Sequence, residues 1–264
     1  MRAAAVWPLL ASMAAAGPVS DMTQLPAADV VILGEIHDNP QHHRNQAAGV
    51  SAVQPRALVF EMLTPAQAGL VTVDNRADPA LGVLLGWEKS GWPDFAMYQP
   101  ILTAAPMAAV FGAAVPGEAL MAGRDPAAIA ALMPDTRFGL TDSLAQADQT
   151  AREAEQIAAH CDALPVDLLP YMVAVQRLRD ATLAARALDA FEATGGPVVV
   201  ITGTGHARRD QGVPAALALA APDLRVLSVG QLEQDPGLDA PYDLWVVTDP
   251  APRPDPCGAF GAGN

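Results

Sequence analysis

The chain has 264 residues, 51% of them hydrophobic, enough for one large domain or two small ones with a sizeable core. Its net charge is −14 and its pI about 4.5, with no run of five or more basic residues; this excludes nucleic acid as a partner, which requires a positive surface to displace counterions. Two cysteines, Cys161 and Cys257, are too few for a disulfide scaffold and lack metal-site spacing, and the sequence leaves them free to pair or to stay apart.

Met1–Ser20 has the form of an export signal. Arg2 is a minimal positive region, Ala3–Ala16 is apolar, and Ala14–Ala16 offers small residues for cleavage. The expected location is therefore the periplasm or the cell envelope. The stretch is too short to span a bilayer, and no Cys follows it to carry a lipid.

Val30–Leu33 is a β-branched apolar run and reads as a buried strand. Gly34 lets the backbone turn or come close to something. Glu35, His37, Asp38, His42 and His43 then arrive together, and Asn39-Pro40 caps and opens a helix. Sites in open α/β sheets form at this carboxyl end of the strands. Ala57–Met62 is a second strand, with Glu61 near its end, so strand, helix and strand make a parallel βαβ unit. An acid in so apolar a strand needs a cation, a metal or a donor network.

Pro65–Val73 reads as a short helix. Asp94–Ala105 reads as a helix interrupted at Pro100, with Tyr98 as either a core tyrosine or a ligand. Met107–Ala113 is a third strand. Residues 116–193 read as a mainly helical insertion over one face of the sheet. Its last helix, Leu168–Ala193, has Leu168, Met172, Val175 and Leu178 on its apolar side. Gln176 and Asp180 share another stripe, directed inward or to solvent.

The second landmark is Pro197–Asp210. Val198–Thr202 is a buried strand, closed by Gly203-Thr204-Gly205-His206 and followed by Arg208, Arg209 and a helix at Pro214. Gly34-Glu35-Ile36-His37 has the same Gly-x-x-His spacing. One such motif is weak; two, each closing a buried parallel strand, are stronger. They place His37 and His206 at one sheet edge, with Glu35 or Glu61 nearby. Leu224–Leu232 and Tyr242–Thr248 are further strands, and 250–264 is a Pro- and Gly-rich tail. The fold expected is α/β: one domain over residues 21–249, with a mostly parallel central sheet flanked by helices.

Five segments together resemble the ChaN-like haem-binding proteins, within a superfamily that includes Tiki metalloproteases and erythromycin esterases. They are Leu33–Gln46, Phe60-Glu61-Met62, Trp92–Leu102 with Tyr98 and Pro100, Gln176–Ala184, and Gly203–Pro214. The resemblance spans Asp29–Leu232 and implies haem bound in a homodimer, export, and a role in haem or iron uptake with an envelope haem transporter as partner. Haem iron accepts an axial His or Tyr, which makes Tyr98, His37, His43 and His206 the candidate ligands. Arg44, Arg208 and Arg209 are the candidate propionate partners. The rival reading is a hydrolase using a divalent first-row metal on His37, His206 and Glu61, with Glu35 as base. In the esterase branch, the His after the first strand is itself the base. The residues leave these alternatives open.

Overall fold

The computed structural model describes residues 16–117, 120, 125–255 and 257–258. The apolar runs become strands of one sheet: β1 (Gly17–Pro18), β2 (Val30–Glu35), β3 (Ala57–Phe60), β4 (Ala109–Gly112), β5 (Val198–Gly203), β6 (Val226–Leu232) and β7 (Leu244–Val247). Their order is β1-β7-β6-β2-β5-β3-β4, and every pairing is parallel. The expected α/β class with a mostly parallel sheet is borne out.

The helices are α1 (Pro40–Val53), α2 (Pro65–Ala68), α3 (Leu81–Leu84), α4 (Phe95–Ala104), α5 (Pro126–Ala131), α6 (Gln146–Ala159), α7 (Leu169–Thr194) and α8 (Val213–Ala220). They cover both faces of the sheet, and this is why its strands are apolar throughout rather than alternating. Val30, Ile32, Val59, Val198 and Val200 meet α7 and α8 on one face. Val31, Leu33, Leu58, Phe60, Val199 and Ile201 meet the α1 and α4 side on the other. Each of these buried apolar side chains contributes about 1.5–3 kcal/mol of transfer free energy.

Several boundaries differ from the sequence reading. β2 runs on through Gly34 to Glu35, so Glu35 is the last strand residue rather than part of a turn. A Cβ on Gly34 would lie 2.8 Å from the Thr204 Cα, so this glycine serves close packing of the two landmark turns. β2 and β3 are parallel as expected, but β5 lies between them. Helix α4 passes through Pro100 without interruption; Asp94 caps it by accepting from the Ala96 N–H. The expected helix at Pro65–Val73 ends at Ala68, after a capping box between Thr64 and Gln67.

Within 116–193 no strand occurs among the described residues. Helices α5 and α6 pack along α7, and α7 lies on β3, β4 and β5. The insertion therefore reaches the sheet through its own long helix. Most of the signal-like stretch falls outside the described residues. Gly17 and Pro18 belong to the sheet: the Gly17 N–H donates to the Asp243 carbonyl and the Val19 N–H to that of Trp245.

The question left open for the cysteines is settled: Cys161 and Cys257 form a disulfide. It joins the chain just after α6 to the terminal segment. That segment is anchored a second time by Arg253, which pairs with Asp38 and Glu233.

Candidate functional site

Glu35, at the end of β2, is the hub of the first half of the site. It is buried, and its Oε1 accepts from His37 Nδ1–H at 2.7 Å and from the Tyr98 hydroxyl at 2.8 Å. Its Oε2 lies 3.4 Å from His43 Nδ1. His43 Nε2 is 2.7 Å from the His37 carbonyl oxygen, which accepts only, so Nε2 carries a proton. His43 Nδ1 and Glu35 Oε2 have no hydrogen-bond partner among the described residues, and one proton between them would satisfy both.

His37 is held differently. Its side chain is 31% exposed, and its ring packs on Trp92 with centroids 4.7 Å apart. With Nδ1–H committed to Glu35, Nε2 lies over Gly203 and makes no hydrogen bond among the described residues. A Cβ on Gly203 would lie 2.9 Å from that nitrogen, so only glycine leaves room for the imidazole. Burial opposes the His37 imidazolium, but the Glu35 hydrogen bond and the charges of Glu61 and Glu35 outweigh it and raise its pKa.

The second half is built on β3, β5 and α7. Glu61 Oε2 accepts from the Thr202 hydroxyl at 2.7 Å and the Gly203 N–H at 2.8 Å, while Oε1 lies 3.5 Å from His206 Nε2. This acid therefore has both a donor network and a cation. His206 Nδ1 donates to Asp180 Oδ1 at 2.7 Å. Burial would lower the His206 pKa, but Glu61 and Asp180 hold it up to about 9. Burial raises Asp180 despite the adjacent His206. For Glu61 the His206 and His37 charges outweigh burial and lower it.

The two halves meet at a cavity of about 380 Å³ between the strand ends and α6. Its wall includes His37, His206, Asp180, Arg152, Gln156 and Arg208. Of the residues singled out from sequence, Glu35, His37, His43, Glu61, Tyr98 and His206 converge at this edge. Arg208 also lines the cavity, paired with Glu155 and Asp210. Arg44 instead bonds Gln41 on the outer face of α1, and Arg209 pairs with Asp243, so neither lines it.

His42 belongs to the framework: its Nδ1 accepts from the Ile36 N–H, its Nε2 bonds the Thr248 hydroxyl, and burial lowers its pKa to about 4. Arg152 and Gln156 were not recognised from sequence, and Trp92 entered only as the first residue of a family-like segment. Arg152 and Gln156 lie four apart on an amphipathic helix, a spacing that reads as an ordinary solvated stripe. Among the described residues no group of three or more His, Cys, Asp or Glu side chains is arranged to hold a metal ion. The divalent-metal reading of His37, His206 and Glu61 draws no support, since both nitrogens of His206 face carboxylates.

Fold and site define an α/β protein with an all-parallel sheet among its described residues, carrying two carboxylate-bound imidazoles beside one cavity at the strand ends. The chain belongs to the haem-binding uptake family ChaN of the Tiki superfamily, whose family model matches residues 22–217. No curated protein sequence matches at a significant level. ChaN of Campylobacter jejuni, from a structure of cofacial heme binding, is similar in fold with a TM-score of 0.61 and 17% identity, covering 82% of this chain and 86% of that one. The type III effector HopBA1 aligns with a TM-score of 0.45 and 14% identity, over 92% of this chain and 100% of that one. An erythromycin esterase, EreC, gives 0.40 and 14%, over 82% and 74%. At these two scores the likeness adds nothing to the fold assignment.

Proposed function

We propose that this protein binds haem at the cavity edge, with His37 Nε2 as the iron ligand. The observation that carries the reading is the state of His37 in a chain of the ChaN family: about one-third exposed, with Nδ1–H fixed by a buried carboxylate and Nε2 without a partner among the described residues. Iron-ligating histidines are oriented by such a second hydrogen bond. The chain's three tyrosines are otherwise committed: Tyr98 to Glu35, Tyr171 to the Leu120 carbonyl and Tyr242 to that of Thr204. Tyrosinate ligation needs a phenolate, and burial beside Glu35 raises the Tyr98 pKa far above its ordinary value. The remaining residues also fit the group, since Trp92 offers an aromatic surface beside His37 and Arg152 and Arg208 line the same cavity.

Bound haem supplies an iron centre that accepts one ligand from this chain. Glu35 orients His37, Tyr98 orients Glu35, and Gly203 keeps space for the imidazole. A homodimer, an envelope haem transporter as partner, and a role in haem or iron uptake complete the reading and rest on the family likeness. Export is supported by the signal-like Met1–Ser20 and by the Cys161–Cys257 bond, since such bonds persist in oxidising compartments.

The test is a hemin titration followed by Soret absorbance and by mass in solution. Wild type is expected to give saturable binding with a shifted Soret band and a dimeric mass when loaded. His37→Ala should lose the shift while retaining weak binding from porphyrin burial; Tyr98→Phe should keep the band position. A spectrum unaltered in His37→Ala removes His37 as ligand. Absence of saturable binding to wild type ends the haem reading.

A further inference from the structure

Of the two arginines that line the cavity, Arg152 and Arg208, only Arg152 is unpaired among the described residues. It is half-buried, projects from α6 into the cavity that His37 and His206 line, and has no hydrogen bond or ion pair among the described residues. Its neighbours are committed: Arg208 forks onto Asp210 and also bonds Glu155, and Arg177 donates to the carbonyls of Gly139 and Asp142. A charge withdrawn from water is normally paired. The chain has 29 acids for 15 Lys and Arg, so carboxylates are plentiful, yet the described fold sets none within ion-pair distance of this guanidinium. Gln156 lies one turn further along the same stripe of α6, and its side-chain N–H₂, the donor a carboxylate would use, makes no hydrogen bond among the described residues. An unpaired guanidinium and an amide with a free N–H₂ thus line the same cavity as the two imidazoles.

We propose that Arg152 and Gln156 form the carboxylate-recognising end of the cavity and select porphyrins whose propionates are free acids. The proposal rests on the haem reading and adds to it the feature by which the site distinguishes one porphyrin from another. A guanidinium presents two parallel N–H donors to a carboxylate, and an amide N–H₂ adds a third. Esterifying the propionates removes their charge and leaves the ring and the iron unchanged. Arg152 also acts electrostatically on Asp180. If that were its whole role, its loss would weaken acid and ester alike.

The full-length protein is titrated with hemin and with hemin dimethyl ester, as wild type, Arg152→Gln, Arg152→Lys and Gln156→Leu. Wild type should prefer hemin by about tenfold or more, the scale of one charge-assisted contact. Arg152→Gln should weaken hemin by about tenfold, leave the ester unchanged and bring the ratio close to one. Arg152→Lys should recover part of the preference, and Gln156→Leu should lose part of it. Equal wild-type affinity for the two porphyrins, a preference kept in Arg152→Gln, or equal weakening of both overturns the assignment while haem binding stands. If Arg152→Gln fails to fold, an unchanged ratio in Gln156→Leu and Arg152→Lys overturns it instead. Wild type that binds neither porphyrin overturns the haem reading beneath it, a different and recognisable result.

Discussion

His206 lies between Asp180 and Glu61, and that placement couples the site to pH. Its imidazole titrates near 9 in the folded chain against an ordinary value of 6.5. A group whose folded pKa is raised contributes stability that is complete below the unfolded value and is lost as pH climbs through the folded one. Stability should therefore decline between about pH 6.5 and pH 9. His206→Gln should be less stable at pH 6 and show a flatter profile across that window, read as the urea midpoint against pH. A wild-type midpoint constant over the window would refute the assignment of this charge. At the same scale, the Gly-x-x-His pair was legible in the sequence because a glycine and a histidine closing a buried strand are few and local. The partners were not: Asp180 is 26 residues from His206, and the sequence left its stripe open between solvent and interior.

At the level of elements, the segment from residue 250 onward is attached to the body at two points rather than trailing as the composition suggested. Arg253 pairs with Asp38 beside His37, and Cys257 is bonded to Cys161 just beyond α6. The disulfide closes a separation of 96 residues, so removing it returns substantial freedom to the unfolded chain. Cys161→Ser with Cys257→Ser, or reduction of the wild type, should lower unfolding stability by about 2–4 kcal/mol. Urea unfolding with and without a thiol reductant measures this, and superimposable curves would show that the bond does not restrain the fold. Helix positions were read well wherever a cap or a proline marked the start, as at Asn39-Pro40 and Asp94. The break expected at Pro100 did not occur: the helix loses one N–H donor there, while burial of Tyr98, Ile101 and Leu102 holds it together.

At the scale of the whole molecule, β1 bears on where an exported chain begins. Gly17–Pro18 pairs with β7, so cleavage after Ala16 keeps the edge strand and cleavage near Ser20 removes it. Mass spectrometry of protein from the native host should find a mature chain starting at Gly17. An intact Met1 in the cytoplasm would refute export, and a start at Asp21 would show that β1 is dispensable.

The sequence by itself determined the class of fold and the edge at which the site lies. Uninterrupted β-branched runs are compatible only with strands covered on both faces, and the polar residues that close such strands all emerge at one end of a parallel sheet. Only the tertiary structure decided which histidine faces outward. His37, His42 and His43 lie within seven positions, yet one turns to the cavity, one ties β2 to the chain beyond β7, and one is buried against Glu35. Strand order and the lining of the cavity were likewise settled by long-range packing: β5 enters between β2 and β3, and α6 brings Arg152 over the strand ends. Local pattern carries periodicity and capping; it carries no record of which distant surface an amphipathic helix will meet.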